Sequence, residues 1–79
     1  MEIDEISAEV IDASIEVHRG LGPGLLESVY EMVLAGVLAR RGMKVDRQMP
    51  IDVCYDGLTF PAAFRIDLLV QDRLVVEIK

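Results

Sequence analysis

Three side chains near the end of the sequence have the types and the spacing needed for metal-assisted chemistry. Asp67 is followed ten residues later by Glu77, and Lys79 comes two residues after Glu77. The segment reads FRIDLLVQDRLVVEIK, in which two strand-like runs flank a short polar turn. A turn over residues 71–73 places Asp67 opposite Glu77 across an antiparallel hairpin. Two carboxylates at cross-strand distance repel each other unless a cation lies between them, so the pair predicts a divalent metal site.

The same turn pairs Val70 with Leu74 and Arg65 with Lys79. Because side chains alternate between the two faces of a strand, both carboxylates and the lysine share one face. The opposite face carries the aliphatic residues Ile66, Leu68, Val70, Leu74, Val76 and Ile78. The alternative interpretation is a set of cross-strand ion pairs on a wet sheet face, each worth about 0.2–1 kcal/mol.

Length and composition limit the size and the number of domains that this chain can form. A chain of 79 residues is one small domain or part of one. Its hydrophobic share of 52% is high for that length, which suggests a missing segment or a partner. We therefore expect residues 1–79 to form a single, incomplete domain. The acidic N-terminal sequence lacks the features of a signal peptide, and no apolar run could span a bilayer, so we expect no membrane association and a cytoplasmic location.

The net charge of −6 is unfavourable for binding nucleic acid, which calls for a basic surface. The only cationic cluster comprises Arg40, Arg41, Lys44 and Arg47. We interpret it as a solvated helix end that complements the helix dipole, in preference to a DNA-binding patch.

Two helices are predicted in the first half of the chain, over about residues 4–19 and 25–41, because apolar residues recur at steps of three and four. The glycine- and proline-rich segment over 20–24 separates them, and Gly42 is suited to end the second. The apolar positions of the first helix are Ile6, Val10, Ala13, Val17 and Leu21. Those of the second are Leu26, Val29, Tyr30, Val33, Leu34, Val37 and Leu38.

From Lys44 onward the apolar period changes to two, which is typical of strands. Asp56-Gly57 predicts a two-residue hairpin turn. The turn pairs Tyr55–Leu58, Val53–Phe60, Ile51–Ala62, Met49–Phe64, Gln48–Arg65 and Asp46–Asp67. One sheet face is then apolar throughout, and the helices are expected to cover it. The other face collects Asp46, Gln48, Arg65, Asp67, Glu77 and Lys79. Pro50 and Pro61 predict an edge strand or a bulge. The fold class is α+β, with two helices before a three-stranded antiparallel meander.

These residues resemble a known family. The lone Asp67 on one strand and the Glu77-Ile78-Lys79 triplet on the next are similar to the motif of the PD-(D/E)xK nuclease superfamily. The stretch HRGLGPGLLESVY is similar to the signature of its GxxExxY family, with Gly24, Glu27 and Tyr30 at the named positions. The resemblance implies the first part of a restriction-endonuclease-like core, truncated after the Glu-x-Lys motif.

The resemblance also implies a chemistry. Asp67 and Glu77 would hold Mg²⁺ or Mn²⁺, Glu27 would complete the metal shell, and Lys79 would assist the attacking water. The reaction implied is phosphodiester hydrolysis in DNA or RNA. Alternatively, Glu27 is only an acidic residue in the first turn of a helix, where it complements the helix dipole. Tyr30 and His18 are interpreted as residues that pack beside the glycine-rich loop.

Two classes of function remain open. The first is a metal-dependent nuclease. The second is a non-catalytic interaction module, or an inactive truncated fragment that self-associates. As the last residue, Lys79 is expected to fray, so that the chain has little activity as it stands. We also expect a homo-oligomer, most simply a two-fold dimer through the edge of the last strand or through an uncovered helix face.

Overall fold

The computed structural model describes residues 1–78 and has the predicted α+β architecture. Its elements are α1 (Ile3–Leu21), α2 (Glu27–Arg40), β1 (Val45–Tyr55), β2 (Leu58–Val70) and β3 (Leu74–Val76). The strands form one antiparallel sheet in the order β1-β2-β3. The two helices and the meander confirm the fold class predicted from the sequence.

The helices lie close to their predicted positions. α1 is three residues longer than expected and buries Ile6, Val10, Ala13 and Val17 as predicted, whereas Leu21 is exposed. α2 begins two residues later than expected, because Leu26 has an extended backbone and precedes the first helical turn. Gly42 has a φ of 86°, a left-handed conformation in which glycine carries no steric penalty, and it ends α2 as predicted.

The core lies between the helices and one half of the sheet. The buried side chains of α1 meet Leu34 and Leu38 of α2 and Leu68 and Val70 of β2. Ile66, Leu68 and Val70 are all buried, which confirms the predicted apolar face of this segment. Each fully buried aliphatic side chain of this kind contributes roughly 1.5–3 kcal/mol.

The outer half of the β1–β2 hairpin has no helix above it. Residues 52–65, which we call the hairpin arm, are all exposed. The prediction that the helices cover the whole apolar face is therefore wrong for this half. The reason is length: α1 spans about 28 Å at 1.5 Å per residue, whereas β2 spans about 43 Å at 3.3 Å per residue.

A bulge at the base of the hairpin arm changes the predicted strand register. Tyr55–Leu58 and Val53–Phe60 pair as predicted, but beyond them Ile51 pairs with Phe64 and Met49 with Ile66. Four predicted pairs are therefore wrong, each by two residues: Ile51–Ala62, Met49–Phe64, Gln48–Arg65 and Asp46–Asp67. In their place, Pro50 lies opposite Arg65 and Asp46 lies opposite Leu69.

The bulge has a local cause. Pro61 has no N–H to donate to the ladder, and the next residue, Ala62, has a left-handed φ of 50°. The Ala62 N–H donates to Asp52 Oδ1 at 2.8 Å, so residues 61–63 lie opposite Asp52 alone. Because the shift is an even number of residues, the side chains stay on their predicted faces.

Candidate functional site

Asp67 lies half-buried on β2, at the point where the β2–β3 ladder ends. The predicted pairing of Val70 with Leu74 is confirmed, and Leu68 pairs with Val76, the last residue of β3. This register brings the residues that follow β3 alongside Asp67, and the Ile78 N–H donates to Asp67 Oδ2 at 2.8 Å. One carboxylate oxygen of Asp67 is thereby fixed by the backbone.

Two neighbouring pockets divide the predicted site residues between them. A pocket of about 220 Å³ is lined by Glu27, Ser28, Glu31, Gln48, Asp67 and Ile78. A larger cleft of about 510 Å³ contains Glu77 together with His18 and Tyr30. Glu27 lines both of them. The structure thus brings Glu27 together with Asp67 on one side and with Glu77 on the other.

The donor set suits a hard cation, although it is not a compact cluster. Among residues 1–78, no three His, Cys, Asp or Glu side chains are gathered closely enough to hold a metal ion together. Mg²⁺, however, keeps several waters and is usually bound through one or two carboxylates. Asp67 and Glu27 line one pocket, and among residues 1–78 the Asp67 Oδ1 atom accepts only a long 3.4 Å contact, from Gln48. These two residues therefore fit such an ion. Lys79 lies outside the described residues.

Sequence reasoning missed Glu31, which is the one charged residue buried among residues 1–78. Its Oε2 accepts from Arg47 at 3.0 Å and its Oε1 accepts from Gln48 at 2.5 Å. The signal for it was present, because Glu31 follows Glu27 by four residues and so lies on the same face of α2.

The glycine-rich loop is tied to α2 by Tyr30, whose hydroxyl donates to the Gly22 carbonyl. The His18 ring stacks on Tyr30 with centroids 6.4 Å apart and an angle of 25° between the planes. Both residues pack beside the loop, as the sequence suggested. They form one wall of the larger cleft.

The cations of the predicted cluster form ion pairs with carboxylates. Arg41 donates to Glu9, Asp12 and Glu16 of α1 at 3.0, 2.9 and 3.2 Å. These bonds, that to Glu9 foremost, raise the pKa of its guanidinium. Arg40 lies 3.6 Å from Glu16.

The other two cations of the cluster are likewise paired. Lys44 Nζ is 2.8 Å from Asp72 Oδ1, and this hydrogen bond raises the pKa of Lys44. Arg47 pairs with Glu31. All four cations of the cluster therefore pair with carboxylates, while the side chains of Arg40, Lys44 and Arg47 remain 75, 60 and 45% exposed.

Comparison with known proteins identifies the family to which this chain belongs. A protein-family model described as the PD-(D/E)XK nuclease superfamily matches residues 4–79, almost the whole chain. The chain therefore belongs to the PD-(D/E)XK nuclease superfamily. No curated protein and no solved structure matches it significantly. Neither helix of the described residues is long and apolar enough to cross a membrane.

Proposed function

We propose that this chain is a metal-dependent nuclease of the GxxExxY type that hydrolyses phosphodiester bonds in DNA or RNA. The observation that carries the proposal is the 220 Å³ pocket in which Asp67 of β2 and Glu27 of α2 meet. The superfamily is one of nucleases, and the pocket offers the oxygen ligands that Mg²⁺ or Mn²⁺ prefers.

Each residue has a proposed role. Asp67 and Glu27 hold the metal ion, with Asp67 oriented by the Ile78 N–H. Glu77 completes the shell from the adjoining cleft, and that cleft receives the phosphodiester. Lys79 assists the attacking water. When bound, the ion would supply Lewis-acid polarisation of the phosphoryl group and a more acidic water.

Metal binding provides the first test. Asp67→Asn removes one anionic ligand and should lower the affinity for Mn²⁺, measured by calorimetry, by at least about 100-fold, since even outer-shell partners are typically worth 10- to 100-fold. Asp56→Asn, in the exposed β1–β2 turn, is the matched control and should bind as the wild type does. Equal affinities in the two variants would refute the site.

Cleavage provides the second test of the proposal. Single- and double-stranded DNA and RNA of mixed sequence are incubated with the protein at rising Mg²⁺ concentration. Magnesium-dependent cleavage that disappears in Glu77→Ala would support the nuclease. Metal binding without any cleavage would instead support the second candidate.

The second candidate is a non-catalytic interaction module that self-associates. The net charge of −6 is unfavourable for binding nucleic acid, and all four cations of the 40–47 segment pair with carboxylates. Both observations favour an interaction module over a protein that binds nucleic acid. The exposed apolar side chains of the hairpin arm offer a surface for protein association. A homo-oligomer and a cytoplasmic location remain predictions for either candidate.

A further inference from the structure

Gln48 occupies an unusual place in β1. Its φ is 51°, a left-handed conformation that non-glycine residues rarely adopt within a strand. The flanking pairs Arg47–Leu68 and Met49–Ile66 put it directly across from Asp67. Residues held in such conformations cluster at functional sites, where the surrounding contacts over-determine them.

The side chain of Gln48 bridges α2 and β2. Its Nε2 atom donates to Glu31 Oε1 at 2.5 Å and lies 3.4 Å from Asp67 Oδ1. An amide NH₂ group has two hydrogens, so one can be directed to each carboxylate. Glu31 is buried and its other oxygen is held by Arg47, so the amide is anchored to a fixed point on α2.

The two contacts of this amide differ in strength. The bond to Glu31 is short, whereas 3.4 Å exceeds the usual 2.7–3.2 Å range for an N–H···O bond. A contact of this length is a weak hydrogen bond, so it restrains Asp67 Oδ1 loosely and leaves lone-pair capacity on that oxygen for a further partner. The other oxygen of Asp67 is held by the Ile78 N–H at 2.8 Å. The carboxylate is thus restrained at both oxygens while one of them stays open to the pocket shared with Glu27.

We propose that Gln48 is the positioning residue for the metal-binding carboxylate of Asp67. It holds Oδ1 toward the pocket and uses Glu31 as its anchor. The inference rests on the proposed metal site, and it adds a residue that the GxxExxY motif and the Asp-Glu-Lys pattern do not include. Outer-shell partners of this kind fix the orientation of a ligand and tune its affinity for the metal.

Gln48→Gly isolates this role. Glycine accepts the left-handed backbone, so the variant loses the amide without backbone strain. The variant also removes a donor from the buried Glu31, so we expect the thermal midpoint of the metal-free protein to fall, by an amount that relief of the left-handed backbone partly offsets. In the protein that is still folded below that midpoint, the affinity for Mn²⁺ should fall about 10- to 100-fold. If Gln48 served only stability, the thermal midpoint would fall but the affinity of the folded protein for Mn²⁺ would keep its wild-type value.

Gln71→Gly is the matched control. Gln71 is also a glutamine with a left-handed φ, 56°, and its side chain accepts from the Lys44 N–H, away from both pockets. Its glycine variant should keep the wild-type affinity for Mn²⁺. Gln48→Asn is a second test variant, because asparagine tolerates the left-handed backbone but is one methylene too short to bridge both carboxylates.

The outcomes separate this inference from the proposed function. Wild-type Mn²⁺ affinity in folded Gln48→Gly or Gln48→Asn, together with lost binding in Asp67→Asn, would overturn the role of Gln48 and leave the metal site standing. No difference between the wild type and Asp67→Asn would overturn both. Weakened binding in the Gln48 variants, with Gln71→Gly unchanged, supports the role.

Discussion

Individual carboxylates in this protein differ mainly in what already contacts them. Both oxygens of Glu31 accept hydrogen bonds from protein donors, and its buried position makes those donors indispensable. Glu27, one helical turn earlier, is exposed at the point where the two pockets meet. We therefore assign Glu31 to the framework of the site and Glu27 to its ligands.

Glu31→Gln tests that division. A glutamine has one acceptor oxygen, so its NH₂ group must face either Arg47 or Gln48, both of which are donors. We expect a loss of about 1–3 kcal/mol in the free energy of unfolding, measured by urea denaturation. Glu27→Gln, the control on the same face of α2, should change it by less than about 0.5 kcal/mol. A larger effect of Glu27→Gln would reverse the assignment.

How much of the site could be predicted from the sequence depends on the residue. The pairing of Val70 with Leu74 could be predicted, because a short polar turn and a strand period of two fix the register of β2 and β3. Gln48 was predicted opposite Arg65 because Pro61 indicated either an edge strand or a bulge, and the alternating pattern does not give the size of the resulting shift. Its contacts with Glu31 and Asp67 require both the bulge and the left-handed backbone of Gln48, so they emerge only in three dimensions.

At the scale of elements, the two helices are joined by charge as well as by apolar contact. Arg41, which directly follows the last residue of α2, donates to three successive acidic residues of α1. A guanidinium can do this because its donors form a planar fork. The sequence indicated a basic cluster at the end of α2, but periodicity alone did not pair it with the acidic residues of α1.

Arg41→Ala should lower the urea midpoint of unfolding. Removing the guanidinium leaves Glu9 and Asp12 without this partner and leaves Glu16 with only the longer contact to Arg40, so repulsion among the three carboxylates is less well balanced. Arg40→Ala is the control, since Arg40 is far more exposed and reaches only Glu16, at 3.6 Å. The difference in urea midpoint between Arg41→Ala and Arg40→Ala should become smaller as salt rises from 0.1 to 1 M, because the screening length falls from about 10 to 3 Å. Identical midpoints in both variants would contradict this account.

At the scale of the whole molecule, apolar surface remains uncovered in separate places. The outer strand β3 is only three residues long and exposes Val75 at its centre. The hairpin arm exposes Val53, Tyr55, Leu58, Phe60 and Phe64. Apolar residues on α1, among them Ile11 and Ile15, are also exposed. A monomer with this distribution has surfaces available for a second copy.

We predict a two-fold dimer through the free edge of β3, detected by sedimentation at rising protein concentration. Val75→Lys should shift the equilibrium toward monomer, because a lysine on an edge strand opposes edge-to-edge pairing. Val53→Lys, on the hairpin arm, is the matched control and should sediment as the wild type does. Dissociation by Val53→Lys alone would locate the contact on the arm, and a wild-type monomer at high concentration would refute association.

Because no helix covers the hairpin arm, we expect the free energy of opening to differ between the arm and the rest of this small chain. Opening residues 52–65 separates no buried side chains, so it exposes little new apolar surface and its cost depends only weakly on denaturant. Freeing the strand segment from Ile66 to Val70 requires both helices to leave it. We therefore expect amide hydrogens of the arm to exchange with solvent through brief local openings, and those of the inner segment to exchange through global unfolding.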